Sequence, residues 1–528
     1  MVCLFVGKLL VFLTCYLQDS LLFCQAKDKE TKAIMEILKL YAEASGQCIN
    51  MEKSSVYFSN NTSLQHRDVI KALLGVHEVD RFESYLGLPT LVGRKKYHTF
   101  SFIKDRVWKK LQVWKKLQGW KGKMLSRAGK EILIKVMAQS IPTYTMSVFQ
   151  LPAKLCEELQ ALCARFWWGQ VGNERKIHWL SWEKLTRPKA DGGMGFKDLR
   201  QFNLAMLAKQ GWRLVQEQES LLGCCLNARY FPRCSFLEAT DSPNSSFTWK
   251  SILAAKPLIQ RGSCWRVGNG TSIRALRDAW IPNYPSNKIL HPVQKMEEDY
   301  MIADLLDPDT GWWNRVLVMQ HFNHEDEEAI LRVPLSRRVI QDSLFWTFTK
   351  SGDYTVRSEY QVARQLQKEG NWAECSNGAV GGSVWKVLWK LKVLNKIKVF
   401  GWRTCCNILP TRVNLVHKKI IQDNRCEVCK FEAETGIHAI WNCGAARDVW
   451  SGCSSRLQKC TGEQGDFLQL MELLIDRLST DELELFLVQA WIIWNQRNGI
   501  IHGKKLQPPQ VSIKRAQDFL AEFRQANI

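Results

Sequence analysis

Four residues in the stretch RCEVCKFEAETGIHAIWNC restrict the fold of this chain more than any other feature. Cys426, Cys429, His438 and Cys443 follow a C-x2-C-x8-H-x4-C pattern. Zn²⁺ favours four such ligands in a tetrahedron, and a two-residue gap lets both Cys426 and Cys429 turn onto one ion. Closed Cys3His coordination leaves no open position for a substrate. The pattern therefore predicts one structural zinc ion that contributes folding energy to a small domain.

The alternative for these residues is a set of reduced core cysteines beside a surface histidine. The chain contains 18 cysteines, but its 528 residues far exceed the size of a disulfide-stapled secreted scaffold. Adjacent cysteines at 224–225 and 405–406 are also an awkward arrangement for ordinary disulfides. The cysteine pattern therefore favours a reducing compartment inside the cell, nuclear or cytoplasmic, over secretion.

The first 18 residues, MVCLFVGKLLVFLTCYLQ, look superficially like a signal peptide. No basic segment precedes the apolar run, however, and Lys8 interrupts it. The run is also too short to span a bilayer comfortably. We therefore expect no secretion and no membrane association.

The charge of the chain indicates a polyanionic partner. Its net charge is +21, from 73 basic and 52 acidic residues, which suits nucleic acid first. Between Arg94 and Lys135 there are 14 Lys or Arg residues against two acids, Asp105 and Glu131. The candidate phosphate contacts in this window are Arg94, Lys95, Lys96, Lys109, Lys110, Lys115, Lys116, Lys121, Lys123, Arg127 and Lys130. The 22 tryptophans are expected mostly in cores, with some available for base stacking.

Periodicity predicts a predominantly helical α+β chain made of several small units. Val107, Leu111, Trp114 and Leu117 have the spacing of an amphipathic helix, within which VWKKLQ occurs twice in tandem. Helices are also predicted over 151–240, 384–403 and 466–503, and the last 25 residues read as a tail. Strands and turns are predicted over 245–340, and FWTFTKSGDYTV reads as a strand pair that leads into a helix near Arg357.

The order of the motifs identifies a family. The chain resembles the C-terminal half of a plant LINE-type (non-LTR) retrotransposon reverse transcriptase, running through its zinc-binding domain. The pieces that carry the resemblance include DSLLFC, SGQCINMEKS, YLGLPTLVGRKK, HWLSWEKLTRPKADGGMGFKDLRQFNLAMLAKQGWRL, WRVGNGTSI, SGDYTVRSEY, VWKVLWKLKVLNKIKVFGWR, LPTRVNL and the Cys/His cluster. They cover nearly the whole chain, and together they are far more specific than any single piece.

The resemblance divides the chain into six segments. They are a truncated palm remnant (1–60), a basic thumb- or connection-like helical region (61–150), a Trp-rich helical region (151–240), a mixed strand and turn region (241–335), the reverse transcriptase zinc-binding domain (336–460), and C-terminal helices with a tail (461–528).

The resemblance also implies where catalytic residues would lie. In this family the strand around 16–24 reads Phe-Ala-Asp-Asp-Ser, and its two aspartates, with a third far upstream, hold two Mg²⁺ ions. Asp19 matches the second aspartate, whereas Gln18 occupies the place of the first. A neutral amide cannot supply the charge that a hard dication needs. Lys53 matches a family lysine that is a candidate proton donor.

We therefore expect Asp19 and Lys53 to be vestigial, no productive Mg²⁺ binding and no polymerase activity, because the upstream palm and fingers also lie outside this sequence. Family members commonly continue into an RNase H domain after a W-x-x-W-N-x-R-N segment. Here that segment is 491–498, and the sequence ends at Ile528. No nuclease activity is expected.

The function predicted from the sequence is zinc-dependent and largely sequence-nonspecific binding of RNA or DNA by a catalytically inactive reverse transcriptase fragment. No small-molecule substrate is expected. Two alternatives remain. One is a decayed open reading frame with no selected function. The other is a zinc-stapled protein-interaction module whose partner the sequence does not name.

Overall fold

The computed structural model of the chain is mostly helical with small sheets, which confirms the predominantly helical α+β class. The residues that the structure describes are 2–6, 14–16, 19–47, 49–79, 84–121, 126–169, 176–290, 299–336, 340–370, 382–460 and 464–526. The chain forms two compact units, Met1–Thr99 and Phe100–Ile528. The six segment boundaries drawn from the sequence stay predictions.

The first unit is built on a five-stranded sheet with the strand order β2-β3-β1-β4-β5. The strands are β1 (Val2–Val6), β2 (Thr14–Tyr16), β3 (Asp19–Cys24), β4 (Ser55–Phe58) and β5 (His77–Glu78), and a separate pair is formed by β6 (Ser84–Tyr85) and β7 (Leu88–Pro89). Only β2 and β3 of the larger sheet run antiparallel, with Tyr16 paired to Asp19.

Two helices complete the first unit, α1 (Asp28–Ser45) and α2 (Leu64–Leu74). Each ends at a glycine in the left-handed conformation, Gly46 or Gly75, which satisfies a carbonyl of the last turn. Ile34 of α1 and Ile70 of α2 are buried in the core that the sheet supplies. The helices therefore bury the apolar residues of the strands.

The rest of the chain is a helical assembly. Its helices are α3 (Lys96–Lys121), α4 (Arg127–Leu133), α5 (Thr143–Met146), α6 (Ala153–Trp168), α7 (Trp182–Thr186), α8 (Leu199–Gln216), α9 (Leu221–Tyr230), α10 (Phe247–Leu253), α11 (Lys256–Gly262), α12 (Arg315–His321), α13 (His324–Leu331), α14 (Val356–Gly370), α15 (Gly382–Lys390), α16 (Asn395–Cys405), α17 (Arg412–His417), α18 (Gly444–Ser451), α19 (Ser455–Gln458), α20 (Phe467–Arg477), α21 (Thr480–Ile501) and α22 (Pro509–Gln525). Two π-helical turns, at Ile134–Ala138 and His438–Asn442, lie beside the sites discussed below.

The cores of the second unit are rich in tryptophan. Trp167, Trp249, Trp280, Trp346 and Trp402 are all fully buried. Their rings interlock with other aromatic side chains, as in the T-shaped contact between Trp167 and Trp402, whose centroids are 6.4 Å apart. Many of the tryptophans that the sequence contains are therefore core residues and are not available to stack on bases.

The region 245–340 and the segment after it differ from the sequence prediction. The described residues of this region, 245–290, 299–336 and 340, are mainly helix and irregular loop, with one strand, β8 (Ser263–Arg266). The two halves of FWTFTKSGDYTV form no strand pair and share one backbone hydrogen bond, from Trp346 N–H to Gly352 O at 2.7 Å. The strand β9 (Ser343–Trp346) pairs instead with β8, about eighty residues earlier, in an antiparallel arrangement. Long-range pairing of this kind leaves no local sequence signal. The helix predicted near Arg357 is α14, which begins at Val356.

The helix predicted over 384–403 is instead two helices, α15 and α16, with a break between Lys390 and Asn395. Leu391 and Val393 in the break are both buried. In a continuous helix these two residues would point about 200° apart, so one side of the core could not take both. Burying both side chains therefore accounts for the break.

The last 25 residues are not a tail, because they contain the helix α22. Ser512, Ala516 and Leu520 form its buried stripe, at the spacing of a helix packed on a neighbour. The neighbours of α22 are α21 and α18. Among the residues that the structure describes, every helix is too short or too polar to cross a membrane.

Candidate metal centre

The four predicted metal ligands lie together in the second unit. One ligand atom from each of Cys426, Cys429, His438 and Cys443 lies within 4.8 Å of the other three. The Cys426 and Cys443 sulfurs are 4.0 Å apart, and the Cys429 sulfur is 3.5 Å from His438 Nε2. Tetrahedral ligands of one zinc ion lie about 3.3–3.8 Å from each other, as follows from usual zinc bond lengths. The donor set fits this ion, and the Cys429–His438 distance lies inside that range, while the widest separation in the set would close by up to about 1 Å on binding.

A tight turn presents the first two ligands. Cys426 N–H donates to Glu432 O at 2.7 Å, and Lys430 N–H donates to Cys426 O at 2.8 Å. Lys430 has a φ of 64°, in the left-handed region. These contacts curl the chain between Cys426 and Glu432, so that the Cys426 and Cys429 thiols face the same point.

The last two ligands lie at the two ends of a π-helical turn. His438 begins this turn and Cys443 follows it, with Cys443 N–H donating to His438 O at 2.8 Å. Cys443 is also the residue that precedes α18. A five-residue π-turn brings the first and sixth residues close in space, which explains how the x4 gap reaches one ion.

A carboxylate holds the histidine ring in place. His438 Nδ1 lies 2.8 Å from Glu432 Oε2, while its Nε2 faces Cys429. A carboxylate on the far nitrogen orients a ligating imidazole and fixes its tautomer. The hydrogen bond between Cys426 and Cys443 lowers the pKa of Cys443. The same contact, with burial, raises the pKa of Cys426 to about 12. Cys443 therefore ionises more readily than Cys426.

A buried ion pair ties this turn to a helix more than sixty residues further along the chain. Arg497 of α21 forms a two-pronged pair with Glu434, in which Nε donates to Oε2 at 3.0 Å and Nη2 donates to Oε1. The side chain of Glu434 is 0% exposed and that of Arg497 is 6% exposed. The Arg412 N–H donates to the same carboxylate at 2.9 Å. Bidentate geometry with a further backbone donor satisfies the buried charges.

Sequence reasoning did not assign a role to Glu432, Glu434 or Arg497. Arg497 belongs to the W-x-x-W-N-x-R-N segment, which served only as a family marker. Its guanidinium lies 4.8 Å from the Trp494 ring centroid, so two members of that motif contact each other. The available signal was an arginine shortly after the apolar run at 490–494, because an arginine that becomes buried there requires a partner.

The predicted nucleic-acid contacts fall into different environments. In the first unit Arg94, Lys95 and Lys96 are exposed, and in the second unit Lys109 and Lys110 are exposed on α3. The side chains of Lys115, Lys116 and Lys121, and the whole of Lys123, lie outside the described residues.

The two remaining candidates, Arg127 and Lys130, are half-buried on α4. Arg127 Nη1 donates to Trp167 O at 3.4 Å, and its guanidinium lies over the Trp168 ring. Burial lowers the pKa of Arg127. Its contacts favour a packing role, whereas the role of the whole set in nucleic-acid binding stays a prediction.

The vestigial polymerase residues are only partly described. Asp19 begins β3, but its side chain and all of Gln18 lie outside the described residues. Lys53 is exposed at the end of a short 3-10 turn, where its N–H donates to Asn50 Oδ1 at 3.1 Å.

Comparisons with known proteins place the metal centre in a known domain. Residues 354–450 match the family described as zinc-binding in reverse transcriptase. Over 432 residues, 79% of this chain, the sequence is 28% identical to the Arabidopsis thaliana protein named "Putative ribonuclease H protein At1g65750", and the match covers 66% of that relative, just under two thirds of its length. Over 143 residues, 27% of this chain, it is 40% identical to "Uncharacterized mitochondrial protein AtMg00310" of Arabidopsis thaliana and covers 93% of that protein.

The chain therefore belongs to the family of reverse transcriptase-related proteins that carry this zinc-binding domain, which confirms the recognition made from its motifs. All four clustered ligands lie inside the matched range, whereas α21, which supplies Arg497, lies beyond it.

Proposed function

We propose that this chain is a zinc-stapled nucleic-acid-binding protein of LINE-type reverse transcriptase descent that does not polymerise DNA. The observation that carries the proposal is the convergence of Cys426, Cys429, His438 and Cys443 within 4.8 Å. Zinc held by these four residues would stabilise the fold of the domain without taking part in a reaction, because all four positions around it would be filled by protein.

Nucleic acid is the proposed partner because of charge and exposed rings. The chain carries a net charge of +21. At the turn of the metal centre, Phe431 is 85% exposed and follows the exposed Lys430. A fully presented ring beside a cation can stack on a base while the cation meets a phosphate. Backbone charge and stacking give little sequence preference, so binding to RNA and DNA of many sequences is expected.

Absence of polymerase activity is proposed on the chemistry of one position. Gln18 occupies the place where the family has the first metal-binding aspartate of the palm turn. An amide lacks the negative charge with which a carboxylate holds Mg²⁺. Primer extension by the purified chain is expected to stay at background, and incorporation of nucleotides by the unmodified protein would overturn this part of the proposal.

The test of the proposal is a salt titration of binding with zinc content measured in parallel. Fluorescence anisotropy with a single-stranded RNA and with a duplex DNA should give a log–log salt slope of about −0.7 to −0.9 for each phosphate contacted. Elemental analysis should find about one zinc per chain. A Cys426→Ser/Cys429→Ser variant is expected to lose both zinc and binding.

Two results would contradict the proposal. One is no binding at low salt by a folded, zinc-loaded chain. The other is an affinity that does not change with salt concentration, because phosphate contacts always release counterions.

A further inference from the structure

Three lysines from distant parts of the sequence meet in the second unit, away from the metal centre. Lys135 lies in the π-helical turn after α4, Lys189 begins a 3-10 turn at Lys189–Asp191, and Lys398 lies on α16. We call these three residues the lysine cluster. Lys189 and Lys398 stand outside the basic window that the sequence singled out.

A glycine-rich turn brings Lys189 to helices α15 and α16. Trp402 of α16 donates its Nε1–H to Gly192 O at 2.8 Å, and a side chain at Gly192 would lie only 3.0 Å from the Trp385 ring of α15. Gly192 has a φ of 78°. A Cβ at Gly193 would fall 2.0 Å from Arg187 O. The turn can therefore pack on these two tryptophans only because both positions are glycine.

The contacts of the three ammonium groups hold them in place. Lys135 Nζ and Lys189 Nζ each lie 2.7 Å from Glu131 Oε1. Lys189 Nζ also lies 4.0 Å from the centroid of the Trp389 ring, and Lys398 Nζ donates to Trp389 O at 3.1 Å. One carboxylate and one tryptophan thus connect all three lysines.

The cluster has more positive charge than the carboxylates around it among the described residues neutralise. Glu131 is shared by two of the lysines. Glu484, the other carboxylate that acts on Lys398, is bound by Arg524 at 2.7 Å. Burial and then the charge of Lys189 lower the pKa of Lys398, and burial likewise lowers the pKa of Lys135 against the pull of Glu131. An anion placed among the ammonium groups would relieve this repulsion.

We infer that the lysine cluster is a seat for one backbone phosphate of a bound nucleic acid. The inference deepens the proposed function and rests on it. Solvent reaches the seat, since the side chains of Lys135 and Lys189 are 32% and 36% exposed. Lysine contacts phosphate as a point charge, with no base-specific geometry. Fixed ammonium groups also lose less side-chain freedom on binding than lysines on a mobile surface.

The test compares two pairs of charge-removing substitutions. Lys189→Gln/Lys398→Gln removes two ammonium groups from the lysine cluster, and Lys504→Gln/Lys505→Gln removes the same charge from an exposed loop after α21. Loss of one phosphate seat should make the salt slope shallower by about 0.7 to 0.9. Binding of a single-stranded RNA at 0.1 M salt should fall about tenfold or more, whereas the control pair should leave the slope unchanged.

A second variant changes binding in the opposite direction. Glu131→Gln removes the carboxylate that competes with the phosphate, and should tighten RNA binding severalfold, even if it lowers the melting temperature. A structural role alone would weaken binding along with stability. This variant therefore keeps the test decisive if the double lysine variant does not fold.

The outcomes separate the two proposals. If the unmodified chain does not bind nucleic acid at low salt, the proposed function fails and this inference falls with it. If the unmodified chain binds but Lys189→Gln/Lys398→Gln behaves like the control pair and Glu131→Gln does not bind more tightly, the seat is wrong while the proposed function stands.

Discussion

Glu359 and Glu434 of the second unit are both 0% exposed, and the chain accommodates them in different ways. Glu434 is paired with Arg497, whereas neither oxygen of Glu359 has a hydrogen-bond partner among the described residues. Glu359 lies on α14, which packs along α8. Burial raises the pKa of Glu359 to about 8. Glu359 is therefore mostly protonated at neutral pH, because an isolated buried carboxylate would be far more costly.

Glu359 should make stability depend on pH in an unusual direction. Its pKa is higher in the folded chain, about 8, than the ordinary 4.5, so the folded state binds the proton more tightly. Stability should fall as the pH rises from about 4.5 to 8, by up to about 1.4 kcal/mol for each pH unit. Tyr354 nearby stays neutral, because its burial raises its pKa.

Glu359→Gln should remove the pH dependence of stability that Glu359 causes. At pH 9 this variant should unfold at a higher denaturant concentration than the unmodified chain. The measurement is the free energy of unfolding from pH 5 to pH 9. Glu328→Gln, at a 57% exposed side chain, is the matched control and should leave the slope in place. If the free energy of unfolding changed equally with pH in Glu359→Gln and in the unmodified chain, burial would not raise the pKa of Glu359.

Phe431 is the residue where the stacking proposal can be tested most directly. Because its ring is 85% exposed, Phe431→Ala removes little packing. Affinity for single-stranded RNA should fall by about 1–3 kcal/mol, the usual contribution of one stacked base. Zinc content and melting temperature should not change. Phe431→Tyr retains a ring and should bind normally, so equal weakening in both variants would exclude stacking.

Contacts between elements decide how the metal centre is held. The tight turn that carries Cys426 and Cys429 has little secondary structure of its own, and Glu434 fastens the chain that follows it to α21. The domain that binds the metal therefore extends physically past residue 450, where the family match ends. Helix α22 packs in turn on α21 and α18, so the C-terminal helices belong to the same structure.

The Glu434–Arg497 pair should be costly to break from one side. Arg497→Leu leaves Glu434 buried without its partner, and should lower the free energy of unfolding by about 3–5 kcal/mol. Arg332→Leu, which breaks the exposed pair with Glu328, should cost less than about 1 kcal/mol. A double Glu434→Gln/Arg497→Leu variant should recover part of the loss in denaturant unfolding. If Arg497→Leu lowered the free energy of unfolding no more than Arg332→Leu does, the Glu434–Arg497 pair would not stabilise the fold as predicted.

The glycine-rich turn at Gly192 and Gly193, which packs on α15 and α16, can be tested by substitution. Gly193→Ala places a Cβ 2.0 Å from a backbone oxygen, so the turn must move and its contact with Trp402 should weaken. A loss of more than about 2 kcal/mol in unfolding free energy is expected, as for other backbone clashes in a packed site. Gly382→Ala meets no atom within 4 Å and is the control. Equal stability of the two variants would mean that the turn adapts freely.

At the scale of the whole molecule, removal of zinc should change the thermal stability of one unit and not of the other. Its ligands all lie in Phe100–Ile528, so chelation is expected to lower the melting temperature of that unit and to leave Met1–Thr99 unaffected. Calorimetry with and without a strong chelator measures both transitions. Added zinc should restore the transition of Phe100–Ile528 in the unmodified chain but not in Cys426→Ser/Cys429→Ser. Identical thermograms with and without the chelator would argue against a structural metal.

Sequence reasoning succeeded where the signal was local. The ligand spacing, the helices at 151–240 and 466–503 and the predominantly helical class all rest on short-range periodicity or spacing. It failed where distant residues decide the structure. The strand β9 pairs with β8, and α22 has a buried stripe only because α21 lies beneath it. The lysine cluster and the Glu434–Arg497 pair join residues 54 or more positions apart, and no short window along the sequence contains them.

The distance in sequence between Glu434 and Arg497 also has a consequence in time. A ribosome adds about 5 to 20 residues per second, so the 63 positions between them take about 3 to 13 s to synthesise. During that interval all four metal ligands have been made, while the partner of Glu434 does not yet exist. A nascent chain that captures zinc early must therefore keep an uncompensated carboxylate in water until α21 is complete. The metal centre reaches its final form only after α21 has been made.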